Sequence, residues 1–255
     1  MPTTAFVYKH IGETPLEALE RFRREQVERA QGVSDQNKSD QKLVTFWENV
    51  PMTYAGRLDP MAEGLLLILI GEECKNKEKY LGLDKEYEVE VLFGVTSDTY
   101  DTLGIITKTI DAPPNLYMIK LNKYAGSFTQ PYPPYSSKTV NGKQLHELAR
   151  GDELPDDMPT KEVEIHSIEK LGTSTIEAID LRARVLANVA KVRGDFRQAK
   201  IRESWSAIQG TFLTIRVRVN CSSGTYMRSL AHKIGQDSGC GAIALSIKRT
   251  KIVLE

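Results

Sequence analysis

Apolar and polar residues alternate with a period of two in residues 87–93 and again in residues 213–220, where one set of positions is aromatic or aliphatic and the other is mainly charged or polar. This period is that of a β-strand with one buried face, which the odd-numbered residues form in both segments. Residues 65–70 are apolar at every position and lie between two glycines, which is typical of a strand buried on both faces. The pattern therefore predicts two half-buried strands and one central strand.

Capping residues and apolar spacings of three and four predict the helices. Thr14 precedes Pro15, and Glu17 follows three residues after Thr14, so the segment contains a capping box that begins a helix. Apolar residues recur at helical spacing from Met227 onward and predict a second helix. The polar residues 32–41 predict a loop.

Helices and strands are mixed along the chain without a regular alternation of strand and helix. This order predicts an α+β fold with a mixed, largely antiparallel central sheet flanked by helices and loops, and not a doubly wound parallel sheet. The length of 255 residues allows one large domain or two small ones. We predict a single domain, residues 1–255.

Composition excludes several classes of protein. With 40% hydrophobic and 27% charged residues, the chain is neither collagenous nor largely disordered. Its longest apolar run has six residues, far short of the roughly 20 that a membrane helix needs, and no export signal opens the sequence. Three scattered cysteines are too few for a disulfide framework. We expect a cytoplasmic protein with no membrane partner.

The sequence holds no common cofactor or metal motif. It contains neither a dinucleotide fingerprint nor a P-loop, and its four histidines do not have metal-ligand spacing. Asp98 and Asp101 could suggest a metal pair, but Asx turns within a loop are the commoner origin of such residues. We predict no cofactor and no metal.

Charge is strongly segregated although the 34 basic and 34 acidic residues cancel. Residues 176–218 carry a net charge of +5 and residues 225–251 one of +4, whereas residues 151–164 carry −5. Basic stretches of this kind suit contact with a nucleic acid or, equally, the solvated faces of helices.

Residues 54–64 (YAGRLDPMAEG) form the most informative short segment. Pro60 restricts Asp59 to extended or turn backbone, and Gly56 and Gly64 flank it at the entrance to the buried strand. A carboxylate presented there can act as a nucleophile, whereas an ordinary Asp-Pro turn is the alternative interpretation.

The segment at residues 56–64 resembles the aspartate motif of the pseudouridine synthases. Residues 85–101 resemble the tyrosine strand and following loop of the TruB-type enzymes, which make pseudouridine in the T-loop of tRNA. Segments within residues 133–151 are similar to the RNA-gripping thumb of that family, and segments within residues 221–242 are similar to its arginine motif and the stretch after it. The matches span roughly residues 6–252 in the expected order.

The resemblance implies a role for four residues. Asp59 is the nucleophile, Tyr87 stacks on the flipped uracil and can help to move the C5 proton, and Arg228 pairs with Asp59. Ile247 lines the pocket. Without the resemblance, Tyr87 would be a core tyrosine and Arg228 a surface or salt-bridged arginine.

The chemistry of the reaction suits these residue types. Isomerising uridine breaks the glycosidic bond, rotates the base and forms a carbon–carbon bond without a redox step. A guanidinium keeps a neighbouring carboxylate ionised, and we expect Arg228 to supply a bidentate partner. The nucleophile can attack the sugar carbon or the uracil ring. Flipping the base costs a few kcal/mol, of which an aromatic platform returns about 1–3 kcal/mol.

Further residues are candidates for binding the substrate. Lys138, Lys143 and Arg150 lie in the thumb-like segment and are expected to contact RNA phosphates. The family commonly has Gly-His-Thr-Gly before its Leu-Asp-Pro, whereas this chain has Tyr54 in place of the histidine that helps to seat RNA, with Arg57 nearer the motif. A tyrosine there can stack on a base or donate a hydrogen bond.

The sequence departs from the family pattern in two further regions. About 30 residues at positions 176–208 exceed the family pattern, and their apolar spacing predicts one amphipathic helix over residues 181–199, weakened by Gly194. The chain ends soon after Lys251, so we expect no C-terminal PUA domain. We expect the helical insertion to contact RNA in compensation.

The expected partner is tRNA, through its T-arm stem-loop, bound by a monomer that needs no protein partner. One alternative is an RsuA-class enzyme of ribosomal RNA, because residues 56–59 and 64–67 also resemble the motif of that class. The thumb-like segment and the absence of a small N-terminal RNA-binding domain oppose it. The other alternative is a catalytically idle RNA-binding or RNA-folding protein, which the retained Asp59, Tyr87 and Arg228 oppose.

Overall fold

Strands and helices follow one another irregularly along the chain. The structure, a computed structural model, describes residues 2–33, 38–110 and 119–254. The strands are β1 (Thr4–Lys9), β2 (Met52–Ala55), β3 (Glu63–Ile70), β4 (Lys85–Phe93), β5 (Val95–Ser97), β6 (Ile106–Thr109), β7 (Gly126–Pro131), β8 (Thr139–Val140), β9 (Lys143–Gln144), β10 (Thr160–Glu177), β11 (Thr211–Cys221) and β12 (Ala242–Ile252). The α-helices are α1 (Pro15–Val33), α2 (Lys38–Asn49), α3 (Lys77–Leu81), α4 (Leu145–Arg150), α5 (Ala178–Lys191), α6 (Gln198–Ser206) and α7 (Met227–Asp237).

One sheet of eight strands organises the described residues. Its order is β1, β3, β12, β4, β11, β10, β7, and β2 also pairs with β3. The pairings are antiparallel except for a short parallel contact between β12 and β3, where Lys248 faces Glu63 and Arg249 faces Gly64. The predicted α+β fold with a mixed, largely antiparallel sheet is therefore confirmed.

The burial of the strands follows the sequence pattern. In β4 the odd-numbered residues from Lys85 onward are buried and alternate with half-buried ones, until the apolar end of the strand is buried throughout. Residues 66–69 of β3 are completely inaccessible to solvent. The prediction of a central strand buried on both faces is confirmed, because Leu66 and Ile68 lie in one apolar cluster and the alternate residues Leu67 and Leu69 lie in another.

Helices α1 and α2 cover β1 and β3. The predicted capping box is present, because the Thr14 N–H donates to Glu17 Oε2 at 2.7 Å and the Glu17 N–H donates to Thr14 Oγ1 at 3.2 Å. Trp47 of α2 is buried in the same apolar cluster as Leu19 of α1.

The prediction of a loop over residues 32–41 is wrong at both ends, while residues 34–37 lie outside the described residues. Residues 32–33 still belong to α1, and α2 already begins at Lys38. Polar composition indicates exposure to solvent, but it does not by itself prevent a helix.

The predicted single amphipathic helix over residues 181–199 is also wrong, because the structure has two helices there. Helix α5 ends at Lys191 and α6 begins at Gln198. Gly194 and Arg197 both have positive φ angles, 79° and 60°, which no α-helix accommodates. The apolar positions continue across the break because both helices pack on the same cluster, through Val185, Val189 and Ile201.

None of the helices in the described ranges is both long and apolar enough to cross a membrane. The predicted helix from Met227 is present as α7, whose first turn lies close to the loop that joins β2 to β3. Strands from the middle of the sheet, β4 and β12, pass beneath that loop, so the segments singled out in the sequence meet at one place.

Candidate active site

Asp59 lies on the loop between β2 and β3. The turn is closed by the Ala62 N–H, which donates to the Asp59 carbonyl at 3.0 Å. The completely buried Lys9 donates from Nζ to the Ala62 carbonyl at 2.6 Å, and it also lies 3.5 Å from the Pro60 carbonyl. Burial lowers the pKa of Lys9 to about 8. The buried amine of Lys9, on β1, thus fixes the backbone that follows Asp59 in the sequence.

Arg249 of β12 holds the other end of the same loop. It is 1% exposed, and its guanidinium donates to the carbonyls of Leu65, at 2.6 Å, and Gly56, at 3.2 Å. Gly64 has a φ of +113°, and a Cβ there would lie 2.2 Å from the Arg249 carbonyl oxygen. The close approach of β3 and β12 where they pair therefore requires glycine at this position.

Arg228, in the first turn of α7, is the direct partner of Asp59. Its Nε donates to Asp59 Oδ2 at 2.7 Å. Its Nη1 donates to the Thr99 carbonyl and its Nη2 to the Tyr135 carbonyl, both at 3.0 Å. The Arg228 side chain is 3% exposed, whereas that of Asp59 is 34% exposed. The buried Arg228 therefore fixes the carboxylate of Asp59, which remains accessible to solvent.

The geometry corrects the expectation of a bidentate pair. Only Nε of Arg228 reaches Asp59, because the two terminal nitrogens are directed at backbone carbonyls of other segments. This leaves the second carboxylate oxygen of Asp59 unengaged by Arg228.

Asp101 is a second carboxylate beside Arg228, and sequence reasoning gave it no role beyond a turn. It is 3% exposed, with Oδ2 lying 3.7 Å from Nε of Arg228. Its Oδ1 accepts the Leu103 N–H at 2.8 Å, the predicted Asx turn, and the Thr99 hydroxyl at 2.6 Å. Burial raises the pKa of Asp101 to about 6, although the charge of Arg228 opposes the shift.

Tyr87 and Ile247 form the floor of the site from neighbouring strands. Tyr87 of β4 is 9% exposed and faces Arg249 across the β4–β12 pairing, while Ile247 faces Val89. Burial raises the pKa of Tyr87, so its phenol is protonated at neutral pH.

These residues share one cleft of about 920 Å³. Asp59, Tyr87, Arg228 and Ile247 line it together, as the sequence analysis predicted for residues distant along the chain. Six further lysine and arginine side chains line the cleft. Arg57 and Arg150 were predicted, and the other four are Lys85, Lys161, Arg197 and Arg249.

Tyr54 is not among the residues that line the cleft, and its predicted contact with the substrate remains a prediction. It lies on β2, where it packs against the cluster formed by α1, α2 and β3. Nζ of Lys77 lies 5.4 Å from the centroid of its ring. The side-chain direction is set by the pairing of Tyr54 with Ile68, a relationship that its position in the motif does not reveal.

Lys138 and Lys143 also lie outside the lining of the cleft, unlike Arg150. Lys138 lies over the ring of Tyr132, with Nζ 5.5 Å from the centroid. Lys143 forms an exposed ion pair with Glu153 at 2.8 Å. Their predicted contact with phosphates remains a prediction for the rim around the cleft.

Tyr226 falls within the range that resembles the arginine motif, but the sequence analysis assigned it no role. It lines the cleft one residue before α7, and its backbone is fixed by the side chain of Gln130, which donates to its carbonyl and accepts from its N–H. Burial raises the pKa of Tyr226 to about 12, and the charge of Asp59 adds to the shift. Its place beside Arg228 in the sequence was the available signal.

Comparison with known proteins gives a family match. The protein-family model described as TruB family pseudouridylate synthase (N terminal domain) matches residues 47–191. The tRNA pseudouridine synthase B of Aquifex aeolicus (strain VF5) is 31% identical over 201 residues, which cover 78% of this chain and 58% of that protein. That of Francisella tularensis subsp. holarctica (strain LVS) is 30% identical over 229 residues, covering 88% and 63%. The chain thus spans less than two thirds of the length of these relatives.

Solved structures share the fold. The crystal structure of a Cbf5–Nop10–Gar1 complex matches with a TM-score of 0.52 and 16% identity, over 97% of this chain and 48% of that one. A structure of an H/ACA RNP bound to a substrate RNA that contains 2'-deoxyuridine matches with a TM-score of 0.50 and 16% identity, over 97% and 47%. The match to the family model covers more than half of this chain, which therefore belongs to the TruB family of pseudouridylate synthases.

Proposed function

We propose that this chain isomerises uridine to pseudouridine in the T-loop of tRNA, with Asp59 as the nucleophile acting on a uridine flipped into the cleft. The observation that carries the proposal is the ion pair between Asp59 and the buried Arg228 at the open surface of the cleft. Relatives in the family are named as tRNA pseudouridine synthases, which supports tRNA as the substrate.

The surroundings of Asp59 suit a nucleophile. The carboxylate is partly exposed, while Lys9 and Arg249 fix its loop through backbone carbonyls, so the nucleophile is held in place before substrate arrives. Preorganisation of this kind lowers the cost of bringing the reacting groups together. One oxygen of the carboxylate is bound by Arg228, and the other is directed to the substrate.

Each bond that changes in the reaction has a place in this scheme. The bond from C1′ of the ribose to N1 of uracil breaks, the base rotates, and C1′ bonds to C5. The C5 proton leaves and N1 gains a proton, so atoms and charge balance without an oxidant or reductant. Asp59 stabilises the separated sugar and base by forming a transient covalent bond.

Tyr87 and Ile247 form the platform for the flipped base. An aromatic face under the base returns part of the energy spent in unstacking it. Because burial raises the pKa of Tyr87, the residue acts at neutral pH as a stacking surface and hydrogen-bond donor and not as a phenolate base.

The cationic side chains around the cleft suit the RNA backbone. Arg57 and Arg150 are exposed on its rim, and Lys161 lines it from β10. Each contact with a phosphate releases counterions, so the affinity should fall as salt rises. We propose the same kind of contact for the exposed faces of α5 and α6.

Release of tritium from a T-arm stem-loop that carries [5-³H]uridine tests the proposal. The wild-type chain should release tritium without any added protein, and Asp59→Asn should not. Asp157→Asn, which removes a charge from an exposed position outside the cleft, is the matched control and should behave as wild type. Product from no variant would favour the idle RNA-binding protein, and product only with ribosomal RNA would favour the RsuA class.

A further inference from the structure

Two arginines contact the same pair of segments from different sides. Arg228 donates to the carbonyls of Thr99 and Tyr135, each at 3.0 Å. Arg197 donates from Nη1 to Asp98 Oδ2 at 2.6 Å, and its Cζ lies 4.3 Å from the centroid of the Tyr135 ring. Arg197 therefore joins Tyr135 to the residue next to Thr99. The two segments that fix the guanidinium of Arg228 are held together by a second guanidinium.

Arg197 lies in the connector between α5 and α6, residues 192–197, and its backbone has an unusual conformation. Its φ and ψ angles are 60° and 30°, in the left-handed region that side chains other than glycine seldom adopt. Such a conformation persists only where the surrounding structure determines it. The Arg197 N–H donates to Asp195 Oδ1 at 3.2 Å, which fixes the turn.

The connector is fixed by hydrogen bonds to the first residue of α6, and α6 is fixed in turn by a buried contact. The Gln198 side chain donates to the Gly194 carbonyl at 2.7 Å and accepts the Phe196 N–H at 3.1 Å. Farther along α6, the completely buried Trp205 donates from its indole nitrogen to the Gly104 carbonyl at 3.0 Å. Helix α6 therefore packs on the same loop, residues 98–105, that carries Asp98 and Asp101.

The charge of Arg197 is already engaged within the protein. Its side chain is 22% exposed and that of Asp98 is 25% exposed, so the ion pair is largely sheltered along the wall of the cleft. The guanidinium also lies over the ring of Tyr135. These contacts favour a structural clamp over a free cation that awaits a phosphate.

We propose that Arg197 is a positioning residue, which holds the loop of residues 98–105 and the segment around Tyr135 at the separation that orients Arg228 and, through it, Asp59. This inference rests on the proposed function, because it assigns Arg197 to the same reaction. The α5–α6 pair then contributes to the chemistry of the cleft and not only to RNA affinity.

Single-turnover rates at saturating T-arm stem-loop test the proposal, with Arg197→Gln compared with Arg193→Gln. Arg193 lies in the same connector, but its side chain is 87% exposed. Arg197→Gln should lower the rate roughly 10- to 100-fold, because small displacements of reacting groups have effects of that size, and the Kd for RNA should change less than about twofold. Arg193→Gln should match wild type in this saturating rate, whatever its effect on the Kd. Arg197→Lys should recover part of the rate, since it keeps the charge but not the planar group.

Amide hydrogen exchange supplies a readout that does not depend on activity. Arg197→Gln should increase exchange in peptides from residues 98–105 and 132–138, and Arg193→Gln should not. An unchanged rate in Arg197→Gln would overturn the proposal. So would a weaker Kd with a shallower salt dependence and an unchanged saturating rate, which would make Arg197 a phosphate contact. If wild type itself does not isomerise uridine, the proposed function fails, and unchanged exchange would then separately overturn the clamp.

Discussion

Nε of Arg228 lies 2.7 Å from Oδ2 of Asp59, although 169 residues separate the two along the chain. The arginine is buried and the aspartate opens onto the cleft. The arginine also donates to two backbone carbonyls, which keep its guanidinium in the same orientation when substrate displaces water. The folded protein therefore fixes the orientation of the Asp59 carboxylate.

Arg228→Lys should impair both stability and rate. An ammonium cannot reach Asp59 and both carbonyls at once, so partners of the buried Arg228 lose their hydrogen bonds, which costs about 1–3 kcal/mol. We expect a lower free energy of unfolding, measured with urea, and a single-turnover rate reduced by roughly two orders of magnitude or more. Arg218→Lys, on the partly exposed ion pair with Glu88, is the control and should stay close to wild type. Equal behaviour of the two variants would contradict the role of Arg228.

Asp101→Asn should change how stability depends on pH. The pKa of Asp101 in the folded protein is about 6, above its ordinary value of 3.8, so the folded state binds the proton more tightly than the unfolded state. The stabilisation from Asp101 is complete below pH 3.8 and is lost as the pH rises through 6. The free energy of unfolding of wild type, minus that of the variant, should fall by roughly 2–3 kcal/mol from pH 4 to pH 7.

Arg228 and Asp59 are the charged groups that face Asp101, and both are present in the wild type and in the Asn variant. The difference between the two proteins therefore isolates residue 101. A difference that is constant from pH 4 to pH 7 would show that folding does not raise the pKa of Asp101.

Tyr87→Leu should weaken binding of the flipped base, whereas Tyr87→Phe should not. Both are compared in the Asp59→Asn background, so that no turnover interferes. Loss of an aromatic face costs about 1–3 kcal/mol per stacked base, which is roughly 5- to 150-fold in the Kd of a T-arm stem-loop. Retention of the ring in Tyr87→Phe should keep the Kd within about twofold of its parent. Equal affinities of the Leu and Phe variants would argue against the platform.

Gly64→Ala should destabilise the protein strongly. The new Cβ would lie 2.2 Å from the Arg249 carbonyl oxygen, at a φ of +113°. We expect a loss of about 3 kcal/mol or more in urea unfolding. Gly172→Ala is the matched control, because its Cβ meets nothing within 4 Å, and it should change stability by less than about 0.5 kcal/mol. A mild effect at Gly64 would show that β3 and β12 can separate without loss of the fold.

Local pattern determined much of the outcome. The alternation of residues 87–93 predicted which face of β4 is buried, because successive side chains of a strand point to opposite faces of the sheet. The capping box at Thr14 predicted the start of α1, because its hydrogen bonds join residues only three apart. In both cases the deciding interactions are local. Pattern also suggested one helix over residues 181–199, where the positive φ angles of Gly194 and Arg197 divide it into two.

The contacts between distant segments could not be obtained in this way. The direction of Tyr54 depends on its pairing with β3, and the burial of Asp101 depends on its place beside Arg228 and β12. The clamp at Arg197 joins residues that lie about a hundred positions apart in one case. No local spacing carries that information.

By itself the sequence determined three strands of the sheet, the starts of the helices α1 and α7 and the family motifs with Asp59, Tyr87 and Arg228, because these depend on neighbouring residues or on resemblance. Only the tertiary structure decided which charges are buried, which carbonyls Arg228 binds and which cations reach the cleft. Those properties arise when the sheet brings separate segments together and excludes water from between them.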